Sequence, residues 1–313
     1  METPRSLRWV GWAGLLFLAA CGMQVAEPVL PPAPTPAAEP YPSVTPWFAP
    51  LLPLAPSPTP SPTPLTCWTA GGRIEKHRLN PPEDVWSLDF RVYLPPCYDA
   101  QPERAYPVLY LIHGQNFTDE QWDRLGVDET LDRLIPTGQL PPFLVVMPRD
   151  QGWDQPEEDG FDEAFLHTLM AWVESHYRTL PQRKYRAIGG LSRGAAWALH
   201  IGLTHWALFG AIGGHSPPVF WRDGPYVAAW LDAIPQGQWP RIWLDVGDMD
   251  RQEILESARW LESLLTARGI PHEWHLYTGR HDEAYWSARV EEYLLWYAAP
   301  WQEGSLPEGA MTP

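Results

Sequence analysis

The stretch of sequence that decides the fold reads Gly189-Gly190-Leu191-Ser192-Arg193-Gly194-Ala195-Ala196. A short apolar run precedes it and an alanine-rich segment follows it, so Gly190-x-Ser192-x-Gly194 stands between a buried strand and a helix. That context is typical of a nucleophile elbow, a tight turn in which side chains on the flanking glycines would collide with neighbouring segments. The pattern predicts a catalytic serine at Ser192. The alternative is a glycine-rich turn with an incidental serine.

Around this turn, apolar runs of strand length alternate with helical stretches. The predicted strands are Gly72 to Leu79, Val85 to Leu94, Val108 to Ile112, Phe143 to Met147, Tyr185 to Ile188, Phe209 to Ile212, Ile242 to Val246 and Glu273 to Tyr277. The predicted helices are Asp128 to Ile135, Phe165 to Tyr177, a helix from the elbow to about Leu203, Tyr226 to Ala233, Ile254 to Arg268 and Glu283 to Tyr297. This alternation predicts an α/β fold with an antiparallel opening and a mostly parallel central sheet, covered by helices on both faces.

The N-terminal segment has the pattern of an export signal. Two arginines precede an apolar run that ends in Leu18-Ala19-Ala20-Cys21, which is similar to a bacterial lipobox. We expect residues 1–21 to be a lipoprotein signal peptide with a lipid on Cys21, which would anchor the protein to the outer face of a bacterial membrane. The alternative is an ordinary signal peptide with an accidental cysteine.

A Pro-, Thr- and Ala-rich stretch over residues 22–66 is typical of an extended linker. One folded domain is expected over residues 67–303, followed by a tail over 304–313. Two cysteines, Cys67 and Cys97, remain once Cys21 is assigned to the lipid. Because disulfides persist outside the cytoplasm, we expect them to be bridged. Two unpaired buried thiols are the alternative.

The charge balance excludes one class of partner. The chain has 38 acidic and 22 basic residues, a formal net charge of −16 at pH 7, and no basic run beyond the N-terminal segment. Phosphate binding requires clustered Lys and Arg, so nucleic acid is not expected as a partner.

A serine hydroxyl needs a base within hydrogen-bonding distance, and the base needs an orienting acid. In the α/β-hydrolase layout both follow the nucleophile, each on a loop after a later strand. The chain has Gly247-Asp248-Met249-Asp250 after one such strand and Gly279-Arg280-His281-Asp282 after the next. We therefore expect His281 as base and Asp250 as acid, with Asp248 as the competing acid.

Two further predictions concern the groups around the reaction. The N–H groups of Arg193 and Gln115 would form an oxyanion hole, because the first follows the nucleophile and the second follows an earlier strand that ends in His113-Gly114. A metal site at His272 and His275 is not expected, since His-Glu-Trp-His on a strand lacks the helical spacing of zinc proteases.

The domain as a whole resembles the esterase D type of α/β-hydrolase. The resemblance rests on Tyr93-Leu94-Pro95-Pro96-Cys97-Tyr98, Tyr110-Leu111-Ile112-His113-Gly114, Tyr177-Arg178-Thr179, Ile188-Gly189-Gly190-Leu191-Ser192-Arg193-Gly194 and Gly279-Arg280-His281-Asp282. The family includes feruloyl and acetylxylan esterases, S-formylglutathione hydrolases, enterochelin esterases and mycolyltransferases. The resemblance implies a triad of Ser192, Asp250 and His281 and no cofactor. Cys97, where the family often has glycine, supports a bridge to Cys67.

The sequence therefore predicts a serine esterase for a small-molecule or carbohydrate ester. An acyltransferase, or a surface binding protein that has kept the fold, are the alternatives. Trp153, Trp221 and Trp286 are candidate flat surfaces for a sugar ring or an aromatic acyl group. The loop from Arg149 to Glu163 is strongly acidic, and carboxylates gathered at the mouth of the site would favour neutral esters over anionic ones.

Overall fold

The computed structural model describes residues 67–80 and 87–302. The predicted signal peptide, Cys21, the linker over 22–66 and the tail over 304–313 lie outside the described residues. Within the described ranges, no helix is both long and apolar enough to cross a membrane.

A sheet of eight strands forms the centre of the domain, in the order β1-β2-β4-β3-β5-β6-β7-β8. β1 pairs antiparallel with β2, and β2 pairs antiparallel with β4, whereas every pairing from β4 to β8 is parallel. The strands are β1 (Arg73–Leu79), β2 (Leu88–Leu94), β3 (Val108–Ile112), β4 (Leu144–Pro148), β5 (Arg186–Leu191), β6 (Ala211–His215), β7 (Arg241–Gly247) and β8 (Glu273–Tyr277). The predicted α/β-hydrolase architecture and its antiparallel opening are confirmed.

Helices connect the parallel strands. They are α1 (Gln121–Arg124), α2 (Val127–Leu134), α3 (Pro156–Asp159), α4 (Phe161–Glu163), α5 (Met170–His176), α6 (Arg193–Thr204), α7 (Gly224–Ala233), α8 (Gln252–Ala267), α9 (Glu283–Ser287) and α10 (Val290–Ala298). A π-helical segment, Ala164–Leu169, joins α4 to α5, so the helix predicted from Phe165 is not regular. The helix predicted over Glu283 to Tyr297 is two helices, because Arg289 leaves helical geometry with φ −121° and ψ 0°.

Successive residues of the buried strands face opposite sides of the sheet, and each side has its own core. Val108, Tyr110 and Ile112 of β3 join the core that contains residues of α6, α7 and α8. Leu109 and Leu111 join the core that contains residues of α2, α9 and α10. Helices therefore cover both faces, and the loops after the parallel strands meet at one edge of the sheet.

The structure contains a disulfide between Cys67 and Cys97, with their Cα atoms 4.9 Å apart. It ties a short 3₁₀ turn, Cys67–Thr69, to the segment after β2. Cross-linking residues separated by 30 positions stabilises a domain by about 3–4 kcal/mol in the chain-entropy model.

Candidate functional site

Ser192 stands on a sharp turn between β5 and α6. Its backbone has φ 53° and ψ −124°, a conformation that L-residues rarely adopt. A Cβ on Gly190 would lie 2.2 Å from the carbonyl oxygen of Gly194, and a Cβ on Gly194 would lie 2.2 Å from that of Ile112. Both positions therefore require glycine, as the sequence pattern predicts, and the turn presents the Ser192 hydroxyl at the edge of the sheet.

The loops after β7 and β8 are held together by their backbones. The N–H of Asp248 donates to the carbonyl of Tyr277 at 2.7 Å, and that of Met249 donates to the carbonyl of Gly279 at 2.9 Å. These bonds bring the two predicted partners of Ser192 to the same place.

The structure brings Ser192, His281 and Asp250 together. His281 Nε2 lies 2.8 Å from Ser192 Oγ, and His281 Nδ1 lies 2.7 Å from Asp250 Oδ1. Asp248, the competing acid, is exposed and accepts hydrogen bonds from the Gly279 N–H at 3.0 Å and the Thr278 hydroxyl at 3.4 Å instead. The geometry therefore favours Asp250 over Asp248 as the partner of the imidazole.

The loop after β3 is fixed by two buried side chains that the sequence analysis did not assign. Gln121 Oε1 accepts the Gly114 N–H at 2.8 Å. His113 Nε2 accepts the Asp150 N–H at 2.9 Å, which leaves Nδ1 to donate to the Gly114 carbonyl at 2.7 Å. Burial lowers the pKa of His113, which favours this neutral tautomer. The loop therefore has a fixed backbone where it passes Ser192.

Gln115 and Arg193, the predicted oxyanion donors, both lie beside Ser192. Gln115 and Ser192 line the same two cavities, and Arg193 is the first residue of α6. Within residues 67–80 and 87–302, no protein acceptor takes the backbone N–H of Gln115 or Arg193. Both donors are available to a ligand.

The Arg193 side chain is buried and pairs with two carboxylates. Its Nε donates to Asp150 Oδ2 at 2.7 Å, and its terminal nitrogen donates to Asp159 Oδ2 at 2.9 Å. Trp197 Nε1 also donates to Asp150 Oδ2, at 2.8 Å. Burial and the neighbouring Asp150 raise the pKa of Asp159 to about 6. This network fixes the acidic loop to the start of α6.

Two cavities meet at Ser192. The first, of about 420 Å³, is lined by Gly114, Gln115, Asn116, Phe117, Leu191, Ser192, Arg251, His281, Asp282, Glu283 and Trp286. The second, of about 320 Å³, is lined by Gln115, Trp153, Gln155, Ser192, Arg193, Ala196, Pro218, Val219, Phe220, Trp221, Arg251, Glu253 and Ile254. Of the residues that the structure describes, Gln115, Ser192 and Arg251 are the ones that line both cavities. They therefore mark the junction.

The three predicted tryptophans all lie at these cavities, in two different settings. Trp286 is buried in the wall of the first cavity, edge-on to His281 with ring centroids 5.0 Å apart. Trp153 and Trp221 line the second cavity with 64% and 72% of their surface exposed. These two present open aromatic surface, whereas Trp286 packs against the imidazole.

The acidic loop does not form the unpaired negative rim that its sequence suggested. Asp150 and Asp159 are bound by Arg193, and Arg222 binds both Glu157 and Glu158. His200 lies 3.6 Å from Asp162 and 2.9 Å from Asp223. Although burial lowers it, these carboxylates raise the pKa of His200 to about 9. These long-range partners, which the local sequence does not show, neutralise part of the negative charge on which the expected preference for neutral esters rests.

A second histidine–aspartate pair lies under the site. His215 Nδ1 is 2.6 Å from Asp245 Oδ1, and both side chains are fully buried. Three other donors also bind Asp245: Trp243 Nε1 at 2.9 Å, the Tyr285 hydroxyl at 2.7 Å and the Tyr293 hydroxyl at 2.9 Å. Burial opposes the charge, but these donors hold the pKa of Asp245 below its usual range. The sequence analysis missed this pair.

The two histidines considered for a metal have other contacts. His275 stacks on Trp243 with ring centroids 3.9 Å apart, and His272 Nδ1 donates to the Ile270 carbonyl at 2.8 Å. In the part of the chain that the structure describes, no three His, Cys, Asp or Glu side chains are grouped to hold a metal ion.

Comparison with known proteins shows which family the chain matches. The Esterase family model matches residues 85–297. An esterase of Mycobacterium tuberculosis is 26% identical over 249 residues, covering 63% of this chain and 53% of the relative. An endo-1,4-beta-xylanase/feruloyl esterase of Xylanibacter ruminicola is 31% identical over 133 residues, covering 39% of this chain and 18% of the relative. The chain thus spans about half the length of the mycobacterial relative.

Among solved structures, the fold is similar to that of a ferulic acid esterase from Anaeromyces mucronatus in complex with ferulic acid. The TM-score is 0.60 at 22% identity, covering 72% of this chain and 90% of that one.

Proposed function

We propose that this chain, which belongs to the Esterase family, is a serine esterase that cleaves carboxylic esters through an acyl-enzyme on Ser192. The observation that carries the proposal is the 2.8 Å distance between His281 Nε2 and Ser192 Oγ, with Asp250 2.7 Å behind the imidazole. Ser192 Oγ attacks the ester carbonyl as Nε2 takes its proton. Asp250 orients the ring and stabilises the imidazolium that forms.

The negative charge of the tetrahedral intermediate falls on the former carbonyl oxygen. The backbone N–H groups of Gln115 and Arg193 would bind it, since both lie beside Ser192 and lack a protein acceptor in the described ranges. His281 then gives its proton to the departing alkoxide, and the alcohol leaves. Water attacks the acyl-enzyme with His281 again as base, which releases the acid and restores Ser192.

The position of the proposed base supports placing each half of the ester in a different cavity. The leaving oxygen must come within hydrogen-bonding distance of His281 Nε2, and His281 lines the first cavity but not the second. The alcohol therefore occupies the first cavity and the acyl group the second.

The lining of each cavity suggests the chemistry of each half. Asn116, Asp282 and Glu283 offer polar groups to an alcohol, and the half-exposed ring of Phe117 offers a flat surface for a sugar ring. The second cavity presents Phe220, Trp221 and Trp153, which suit an aromatic acyl group. We therefore propose acylated sugars with an aromatic acyl group as substrates. The names of the feruloyl and ferulic acid esterase relatives agree with this class.

Labelling and product analysis test the proposal together. A fluorophosphonate probe should label the wild-type chain and not Ser192→Ala, and the wild type should release free acid from a feruloylated sugar. Absence of labelling with retained sugar-ester binding would favour a binding protein that has kept the fold. Formation of a new ester with an added alcohol, in place of free acid, would favour an acyltransferase.

We further propose that the protein is exported and held at the outer face of a bacterial membrane by a lipid on Cys21. The sequence pattern before Cys21 and the Cys67–Cys97 disulfide support export. Labelled palmitate should be incorporated into the wild type and not into Cys21→Ala. Equal incorporation in the two proteins would refute the anchor.

A further inference from the structure

Arg251 lies beside Ser192, and its guanidinium has no carboxylate partner among the described residues. It lines both cavities at their junction, together with Gln115 and Ser192. Among the described residues, no carboxylate lies within ion-pair distance of its guanidinium, and no side-chain hydrogen bond from it occurs. The contrast with Arg193 is direct, because that arginine also lines the second cavity but is buried between Asp150 and Asp159.

The backbone of Arg251 is fixed. Its N–H donates to Asp250 Oδ1 at 2.6 Å, and its carbonyl accepts the N–H groups of Ile254 and Leu255, each at 3.0 Å. Arg251 thus immediately precedes α8, a helix of 16 residues, at its N-cap position, and its own side chain does not cap the helix. The positive end of this helix dipole and the guanidinium favour negative charge at the same place.

The other charged groups at the cavities do not neutralise Arg251. Glu283 is bound by Arg124 and by Gln121, and Asp282 accepts the Tyr285 N–H at 2.9 Å. Glu253 lines only the second cavity and makes no ion pair with Arg251, since side chains two positions apart on a helix do not face each other. Among the described residues that line the two cavities, Arg251 is therefore the one arginine whose guanidinium has no carboxylate within ion-pair distance, whereas Asp282 and Glu253 keep their negative charge.

We propose that Arg251 is a specificity-determining residue that binds a carboxylate of the substrate, so that, within the proposed class of acylated sugars, esters with a carboxylate on the acyl or the sugar half are preferred over neutral ones. This inference rests on the proposed esterase function. A guanidinium binds a carboxylate through two parallel N–H donors, which gives both affinity and orientation. The carboxylate can belong to the acyl half or to the alcohol half, because Arg251 reaches both cavities.

Matched substrate pairs test the proposal and separate the two halves. For the acyl half, the pair is the phenyl monoester of glutarate and the phenyl ester of glutaramate. For the alcohol half, it is the acetate ester of meta-hydroxybenzoate and that of meta-hydroxybenzamide. Within each pair a carboxylate is exchanged for a neutral carboxamide of similar shape. The measured quantity is the ratio of kcat/KM for carboxylate over carboxamide, which cancels general effects on catalysis.

In at least one of the two substrate pairs, Arg251→Gln should lower the carboxylate-to-carboxamide ratio of kcat/KM roughly tenfold. The change should come mainly from KM, because a charge-assisted bond to the substrate is lost. Arg251→Lys should lower the ratio less, since it keeps the charge without the paired donors. The control is Arg259→Gln, which removes the same charge from an exposed position of α8 outside both cavities. An unchanged ratio in both pairs for Arg251→Gln, or an equal fall in Arg259→Gln, would overturn the proposal.

A binding measurement keeps the test independent of turnover. The Kd of glutarate should be roughly tenfold lower for Ser192→Ala than for the double variant with Ser192→Ala and Arg251→Gln. Equal affinities would also overturn the role of Arg251. If the fluorophosphonate probe does not label the wild type, the result contradicts the esterase function instead. Failure of the esterase proposal can therefore be distinguished from failure of the proposed role of Arg251.

Discussion

Two histidine–aspartate pairs lie at neighbouring strands of this sheet, with nearly the same distance between the imidazole nitrogen and the carboxylate oxygen. The Nδ1 to Oδ1 distance is 2.7 Å for His281 and Asp250 and 2.6 Å for His215 and Asp245. They differ in what meets the other nitrogen. His281 Nε2 faces Ser192 Oγ at 2.8 Å on the wall of a cavity, whereas His215 Nε2 faces the Tyr297 hydroxyl at 3.1 Å in the core.

The difference teaches that a histidine–aspartate pair does not by itself make a catalytic site. The base must meet both a nucleophile and a substrate, so access and the third partner decide its role. His215 and Asp245 are paired in the β6–β7 register, and their surroundings supply only structural donors. We therefore expect the first pair to govern activity and the second to govern stability.

The largest expected effect is the loss of the nucleophile. Ser192→Ala should lower kcat/KM for an aryl ester by at least about a thousandfold, because the acyl-enzyme forms on Ser192 in the proposed mechanism. The melting temperature should stay close to that of the wild type, since the hydroxyl faces a cavity. Retention of a tenth of the activity would exclude Ser192 as the nucleophile.

The proposed acid of the triad, Asp250, gives the next effect. Asp250→Asn should lower kcat by about 10³–10⁴-fold, because the amide cannot hold the imidazole in the reactive tautomer. Asp248→Asn is the matched control, since this exposed carboxylate binds only the Gly279 N–H and the Thr278 hydroxyl. Steady-state kinetics on both variants checks this. A larger loss in Asp248→Asn would reverse the assignment.

Removing the buried carboxylate should affect folding instead. Asp245→Asn leaves several donors facing an amide that can accept on only one atom, which should cost about 3–5 kcal/mol in the free energy of unfolding. Activity per folded molecule should stay within about threefold of the wild type. Urea unfolding and kinetics on the same samples measure the two quantities. A thousandfold activity loss without destabilisation would give this pair a catalytic role.

The sequence predicted that His281 and Asp250 would form a pair, but it did not predict the pair of His215 and Asp245. Ser192, Asp250 and His281 each follow a strand in a short local pattern whose order predicts that they meet, although the same pattern left Asp248 open as the acid. Asp245 lies inside an apolar strand, and its partner depends on the register of β6 against β7. The pairing of Arg193 with Asp150 and Asp159 could not be predicted either. Contacts between segments that are distant in the chain leave no periodicity in the sequence.

His200 is an intermediate case, a partly accessible histidine between Asp162 and Asp223. Its pKa in the folded state is about 9, above its unfolded value of about 6.5. Its contribution to stability is therefore complete below about pH 6.5 and is lost as the pH rises through 9. The destabilisation by His200→Gln should be about 2–3 kcal/mol at pH 6 and disappear by about pH 10. A pH-independent difference in unfolding free energy would contradict the ion pairs.

The smallest expected effect concerns the two hydroxyl groups that face a histidine Nε2, that of Tyr297 at His215 and that of Ser192 at His281. Tyr297→Phe removes the hydroxyl that faces His215 Nε2, and the hydroxyl lies in the core between Gly189 and Gly213. No water can replace it there, so the unpaired nitrogen should cost about 1–2 kcal/mol in the free energy of unfolding. Ser192→Ala removes the corresponding hydroxyl from His281, but solvent in the open cavity can pair with that nitrogen, so its stability cost should be smaller.

The control for the aromatic change is Tyr277→Phe. The Tyr277 hydroxyl donates to Glu292 at 2.6 Å on the protein surface, where water can take over the bond, so the change should cost less than about 0.5 kcal/mol. Chemical denaturation of the three variants in one buffer measures their free energies of unfolding. Tyr297→Phe should lose the most stability, and Ser192→Ala and Tyr277→Phe should both lose less. If Ser192→Ala were as destabilising as Tyr297→Phe, His281 would be closed to solvent and the distinction between an accessible and a buried pair would fail.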